Sequence, residues 1–352
     1  MIAPSTVRGL LITCMLLVVS LPACSPPSDG GEAAPADKSV AEARSLLYQR
    51  GSQLHRLNLD TGADRVVTTL PPAEVHASPT SSWLALVGSP EGVDFATRPR
   101  LSLLQPDSGR RLALGPGLAP LWRPDGNAVA YLRPVEERRC EVESCSGRVA
   151  VVIASLSGAI QTVMGPGHWT LLSWAGSDLV LGNLEDSRRV TMVGPQGPPQ
   201  KLSVPPAKLW GASPDGRWVV VARRRGAEYV ALGPEGELGR RRTLVTGARL
   251  AEGAWSPDSD KVAGVLLEKA TGALPLTGVV LSSPEASGRR LLPGSRGAAG
   301  APMWSADGGT IAFPQAAGER EARLRATVCV LKEPACDSWL HWTDEVRLLR
   351  LE

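Results

Sequence analysis

The chain has 352 residues, 43% hydrophobic and 21% charged, enough length and apolar content for a sizeable core in one large domain or two ordinary ones. Thirty-eight basic residues face 35 acidic ones, a balance of +3 that leaves no electrostatic footprint for a nucleic-acid partner. Only six of the basic residues are Lys, which with 37 Gly and 30 Pro reads as GC-rich coding bias; ten Trp against three Tyr and two Phe point instead to Trp in a repeated structural slot.

Residues 1–23 carry one Arg, an apolar run from Leu10 to Val19 and then small residues, the pattern of a signal peptide. The apolar run is too short to cross a bilayer stably as a helix. It ends in Leu21-Pro22-Ala23-Cys24, which resembles the lipobox of bacterial lipoproteins. That resemblance implies cleavage before Cys24 and a diacylglyceryl group on its sulfur. A membrane attachment through an N-terminal lipid and a place in the bacterial cell envelope, on the periplasmic face of the outer membrane or the cell surface, follow as expectations. Residues 24–44 then hold the lipidated Cys and a Pro-, Gly- and Ala-rich tether with almost nothing to bury. A flexible chain of that length spans about 25 Å.

Residues 45–70 contain three strand-like runs, Leu46-Leu47-Tyr48, Gln53 to Leu59 and Arg65 to Leu70. From there a repeat takes over. Trp122-Arg123-Pro124-Asp125-Gly126, Ala212-Ser213-Pro214-Asp215-Gly216, Trp255-Ser256-Pro257-Asp258 and Trp304-Ser305-Ala306-Asp307-Gly308 each precede an apolar strand. Worn copies stand at Ala77-Ser78-Pro79 and Trp174-Ala175-Gly176, and Trp342-Thr343-Asp344 reads as a decayed seventh. The slots at 77, 122, 174, 212, 255, 304 and 342 have a mean spacing near 44 residues, the length of a four-stranded propeller blade. Pro-Asp-Gly is tight-turn chemistry: Pro presets φ, Asp bonds its own backbone, and Gly accepts positive φ. Trp122, Trp174, Trp255, Trp304 and Trp342 are therefore expected as structural anchors packed between blades.

These units resemble the repeats of TolB-type β-propellers, which also occur in the propeller of the prolyl oligopeptidase family. The resemblance covers residues 45–352 and implies an all-β propeller. Residues 25–44 have no room for the α/β domain that precedes the propeller in TolB, so the chain is not expected to be TolB itself. The N-terminal run lacks an inner strand and the C-terminal run lacks outer ones. Paired, they make a composite blade that closes a ring of seven four-stranded blades, with six or eight as alternatives.

Beyond Cys14 and Cys24, four cysteines remain. Cys140 with Cys145 and Cys329 with Cys336 are local pairs, expected as disulfides in an oxidising compartment. Two other connectivities and a four-cysteine zinc site are the alternatives. The first pair sits in the charged stretch 134–146, a candidate contact loop or a braced insertion. Arg223-Arg224-Arg225 and Arg240-Arg241-Arg242 could meet anionic headgroups or polysaccharide, or lie as solvated strand ends. His76 and His341 each precede an anchor slot, which would make them equivalent positions of adjacent blades; seven-bladed pectate-degrading lyases hold a metal with His, but no third ligand is evident here.

No G-x-S-x-G elbow, H-E-x-x-H or phosphate-cradling Gly loop is present, so no catalytic residue, cofactor or metal is expected. The function expected is a monomeric, non-catalytic module that binds or scaffolds an envelope protein. The alternatives are an envelope enzyme, a polysaccharide lyase or hydrolase acting at the central funnel, and a small-ligand sensor.

Overall fold

Each apolar run of the repeat becomes a strand, and each Gly- or Asp-containing break a turn. In the computed structural model the chain forms 28 strands in seven four-stranded antiparallel sheets, with no helix among the described residues. Those residues are 44–352 without 89–98, 136–146, 187–188, 196, 204–207, 234–235, 269–275, 287, 317–323, 333–334 and 343–345. Six blades run in simple order: Glu74–Pro116 (blade 1), Leu118–Gly167 (blade 2), Trp169–Ser203 (blade 3), Lys208–Thr246 (blade 4), Arg249–Leu291 (blade 5) and Met303–Trp342 (blade 6). The seventh joins the chain ends. Val346–Leu351 pairs with Ser45–Arg50, followed outward by Gln53–Asn58 and Asp64–Thr69. The expected architecture and its mode of closure are therefore present.

The hydrophobic core is divided into seven clusters, each drawing on two neighbouring blades. A sheet with both faces buried should read as a continuous apolar run, and the second strands do. In Trp218–Arg223, Val219 and Val221 face blade 3 while Val220 faces blade 5. In Ala128–Pro134, Val129 and Tyr131 join the cluster with blade 1, and Ala130 and Leu132 the cluster with blade 3. The two-residue period of a strand thus sends alternate side chains into alternate interfaces.

Two sequence expectations are corrected. Trp342 ends the outermost strand of blade 6, Ala335–Trp342, where it pairs with Leu324; it is not the anchor of the closing blade. The strand after it, Val346–Leu351, is an innermost strand, so its anchor slot is the buried Leu351. Trp342 thus stands at an outer edge. Consequently His341, in that same outer strand, is not equivalent to His76, which lies in the innermost strand of blade 1. Cys329 and Cys336 are disulfide-bonded across the two outer strands of blade 6. Cys24, Cys140 and Cys145 lie outside the described residues.

Candidate functional site: the mouth of the central channel

Every innermost strand ends at one face of the disc, and the turns that follow encircle the channel mouth. In blade 4 the Ser213 hydroxyl donates to Asp215 at 2.6 Å and accepts the N–H of Trp218 at 3.0 Å, while Asp215 Oδ1 accepts the N–H of Arg217 at 3.0 Å. Blades 5 and 6 repeat this. Ser256 donates to Asp258 and accepts from Lys261, and Ser305 donates to Asp307 and accepts from Thr310. The Ser of the motif is thus a hydroxyl keystone that bonds in both directions, a role the Pro-Asp-Gly reading left out.

Each turn also seats on its predecessor. Gly126 takes φ +70° and lies so close to blade 1 that a Cβ would stand 2.6 Å from Ser78 Oγ. In blade 5 that slot holds Ser259, at φ 64° and nearly fully buried. Left-handed backbone is unfavourable for a residue with a Cβ. Here the Ser259 hydroxyl accepts the N–H of Asp215 at 3.0 Å, fixing blade 5 to blade 4. Gly176 donates to the carbonyl of Pro214 at 2.9 Å, and Ser81 to that of Gly126 at 3.2 Å. The mouth is a hydrogen-bonded collar.

These bonds set the acidity of the collar. The Ser305 hydroxyl and the Gly309 N–H hold the Asp307 carboxyl below the usual carboxylate range. Burial by itself raises Asp215 and Asp258, but the Ser hydroxyls and backbone N–H groups outweigh it and both are lowered; Asp125 is lowered against the same burial by Arg123 and the Asn127 N–H. A carboxyl more acidic in the folded chain stabilises it above the unfolded-state pKa of about 4 and loses that contribution as pH falls through the lower folded value. The melting temperature should accordingly hold from pH 7 to about 5 and drop below about pH 4. Changing Asp215, Asp258 and Asp307 together to Asn should flatten the drop; an equally steep acid limb in that variant would contradict the assignment.

The anchor tryptophans have a second task. The channel edge of an innermost strand presents unpaired backbone groups. Trp122 Nε1 donates to the carbonyl of His76 at 2.9 Å, Trp174 to Leu121 at 3.0 Å and Trp304 to Ala254 at 3.0 Å, in each case reaching back to the preceding blade. All three indoles are buried. Trp255 is only partly buried and its Nε1 has no partner among the described residues.

Inside the collar lies a cavity of about 410 Å³. Irregular register in the innermost strands builds it. Pairing skips a residue at Leu172, Trp210 and Leu349, and these three side chains line the cavity with Leu121, Trp255 and Met303. A bulge re-aims a side chain in this way. Trp210 rests on Gly253 of the next blade, where a Cβ would stand 2.0 Å from the indole Cη2, so only Gly admits the ring. Pro79, Pro124, Pro214 and Pro257 rim the cup, and Arg350, nearly fully buried, is its one charged lining residue among those described. Nothing in the motif signalled Trp210 or Arg350; an extra Trp off the repeat register was the only available clue.

The other candidates lie elsewhere. His76 Nε2 is 3.0 Å from Glu74 Oε1 on the channel wall, and that oxygen also accepts from Arg347 at 3.1 Å. The hydrogen bond to His76 holds the Glu74 carboxyl below its ordinary range. Among the described residues no three His, Cys, Asp or Glu side chains gather as a metal centre requires. Arg223, at the end of its strand, and Arg241 pair with Glu228, and Arg242 lies by Glu285; Arg241 and Arg242 stand in the middle of the outermost strand Leu238–Thr246 and not at a strand end.

No protein-family model and no curated protein sequence matches the chain. Solved structures do. A prolyl endopeptidase aligns over 87% of this chain and 50% of its own, at 15% identity and a TM-score of 0.59. Oligogalacturonate lyase from Vibrio parahaemolyticus aligns over 83% and 84%, at 14% identity and 0.54. TolB from Acinetobacter baumannii aligns over 88% and 67%, at 14% identity and 0.48. The chain thus spans about half the length of the prolyl endopeptidase, and identities this low establish a shared fold and nothing of the chemistry. The chain is a seven-bladed β-propeller, similar in fold to the prolyl endopeptidase and the oligogalacturonate lyase.

Proposed function

We propose that this protein is a lipid-anchored, monomeric propeller of the cell envelope that acts as a non-catalytic binding module, taking an apolar or aromatic group of an envelope protein into the cup at its channel mouth. The observation that carries this reading is the cup itself. Its wall is apolar and built by register breaks that aim Leu172, Trp210 and Leu349 inward. The carboxylates around it are already bonded to their own turns and are not free to act as acid or base. A rigid apolar concavity with one buried cation is suited to recognition. Anchoring at Cys24 rests on the lipobox resemblance.

Two variants test the reading. Cys24→Ser should move the protein out of the membrane fraction; unchanged fatty-acid labelling of the variant would exclude anchoring there. Trp210→Ala should cut co-purification of a cross-linked envelope protein about tenfold or more, with the fold retained. Equal recovery with both forms would count against the cup. The second reading, an enzyme of the lyase or hydrolase type at the funnel, draws on the Glu74–His76 pair. It predicts turnover abolished by His76→Ala.

A further inference from the structure

The closing blade differs from the other six where its first two strands meet. They come from opposite ends of the sequence, so no Ser-Pro-Asp turn joins Val346–Leu351 to Ser45–Arg50. Between the turns of blades 6 and 1, where that turn would fall, lies a cavity of about 660 Å³. It is separate from the cup, sharing only Pro79 and Arg350 with it.

Three guanidinium groups line it, Arg56, Arg65 and Arg350, against one side-chain carboxylate, Glu352. Glu352 Oε2 is 2.9 Å from Arg56 Nε and accepts the Ser45 hydroxyl at 2.6 Å, and its other oxygen accepts from Arg350. Glu352 therefore engages two of the cations; Arg56 also lies 3.5 Å from Asp107, and Arg350 also donates to the carbonyls of Ser78 and Ser81. Arg65 is exposed, and beyond the strand pairing of its backbone with Arg56 its side chain makes no hydrogen bond or ion pair with any described residue. Thr80, Ser81 and Ser82 complete the opposite wall, the Ser81 hydroxyl being bonded to Ser78 and the Gly126 carbonyl and that of Ser82 to Gln105, and the described lining includes no aromatic ring. A surplus of forked donors over carboxylates in the described lining matches a group with several strong acceptor oxygens, a phosphoryl group above all. The volume exceeds a bare phosphate and falls in the range of small-molecule sites. Without a stacking surface, the rest of the ligand would be a hydroxylated carbon skeleton.

We propose that this seam cavity binds the phosphate monoester of a small polyol, either free or as the headgroup of an anionic lipid. The ligand would touch strands from both chain ends and the first turn of blade 1 together, so its binding would clamp the ring at its closure. Anything that binds only the folded chain raises its melting temperature. The proposal rests on the seam and not on the cup, so it stands or falls separately from partner binding there.

The test uses the full chain carrying Cys24→Ser, so that acyl insertion makes no contribution. Glycerol 3-phosphate is titrated calorimetrically and in thermal melts, with glycerol as the neutral control. Co-sedimentation uses phosphatidylcholine vesicles with and without phosphatidic acid. Arg65→Glu, at an exposed and unpaired residue, is compared with Arg111→Glu, an exposed Arg in the outermost strand of blade 1. Saturable binding of glycerol 3-phosphate that raises the melting temperature, weakened about tenfold or more by Arg65→Glu and not by Arg111→Glu, supports a free ligand. Capture only by vesicles containing phosphatidic acid, lost in Arg65→Glu alone, assigns the headgroup as the source. Absence of binding to both probes, or binding that Arg65→Glu leaves intact or that both variants weaken alike, overturns the proposal.

Discussion

Deletion of residues 346–352 is expected to abolish cooperative folding of the entire disc, although it removes only seven residues from one chain end. The strand Val346–Leu351 pairs with Ser45–Arg50 from Leu351 opposite Leu46 to Val346 opposite Arg50. It also feeds two cores, with Val346, Leu348 and Leu351 against blade 6 and Leu349 against blade 1. Four apolar side chains at about 1.5–3 kcal/mol each, Leu351 buried and the other three partly so, amount to on the order of 5–10 kcal/mol, the size of a whole domain's stability. An ion pair and a hydrogen bond tie the same strand to blade 1: Arg347 donates to Glu74 at 3.1 Å, and Arg350 to the carbonyl of Ser78 at 3.3 Å. Chain ends are ordinarily expendable; this one is not, because without it Ser45–Arg50 becomes an open edge and two interfaces lose a face. Circular dichroism melts would show the loss directly. A truncated protein melting like the full chain would mean that the ring does not depend on this seam.

The second large effect concerns the anchors. Trp174→Ala and Trp304→Ala should each cost about 3–5 kcal/mol, through the cavity left between blades and the stranded carbonyl of Leu121 or Ala254. Trp304→Phe keeps most of the packing and loses the N–H, so about 1–3 kcal/mol is expected. Trp255→Ala should be milder than either, since that indole is partly exposed and donates to no described acceptor. Denaturant midpoints for the four variants would rank them. If Trp255→Ala proved as damaging as Trp304→Ala, the edge-capping role of the indole N–H would be wrong.

The repeat made the blades legible because four turns carry the same local chemistry and two more carry worn copies of it, and local chemistry is what a sequence displays. The closing blade was harder for the same reason. It has no turn between its first two strands, so its anchor slot, Leu351, has no Pro-Asp-Gly beside it, and Trp342 drew the assignment to an outer strand. The right blade count came from the pairing of chain ends and not from that residue. The cup was not legible at all. Leu172, Trp210 and Leu349 face the channel only because the strand register slips beside them, and a slip depends on the partner strand rather than on the residue itself. Ser259, in the slot that Gly126, Gly216 and Gly308 fill in other copies, holds its left-handed backbone through a hydroxyl bond to the blade before.

The claim that matters most is that the cup is where this propeller meets its partner. A photo-activatable residue placed at Leu172, within the cup, and at Ile160, exposed on the outermost strand of blade 2, tests it in intact cells. One discrete adduct from position 172, diminished by Trp210→Ala and absent from position 160, is the predicted result. No adduct from 172, or the same adduct from both positions, would contradict it.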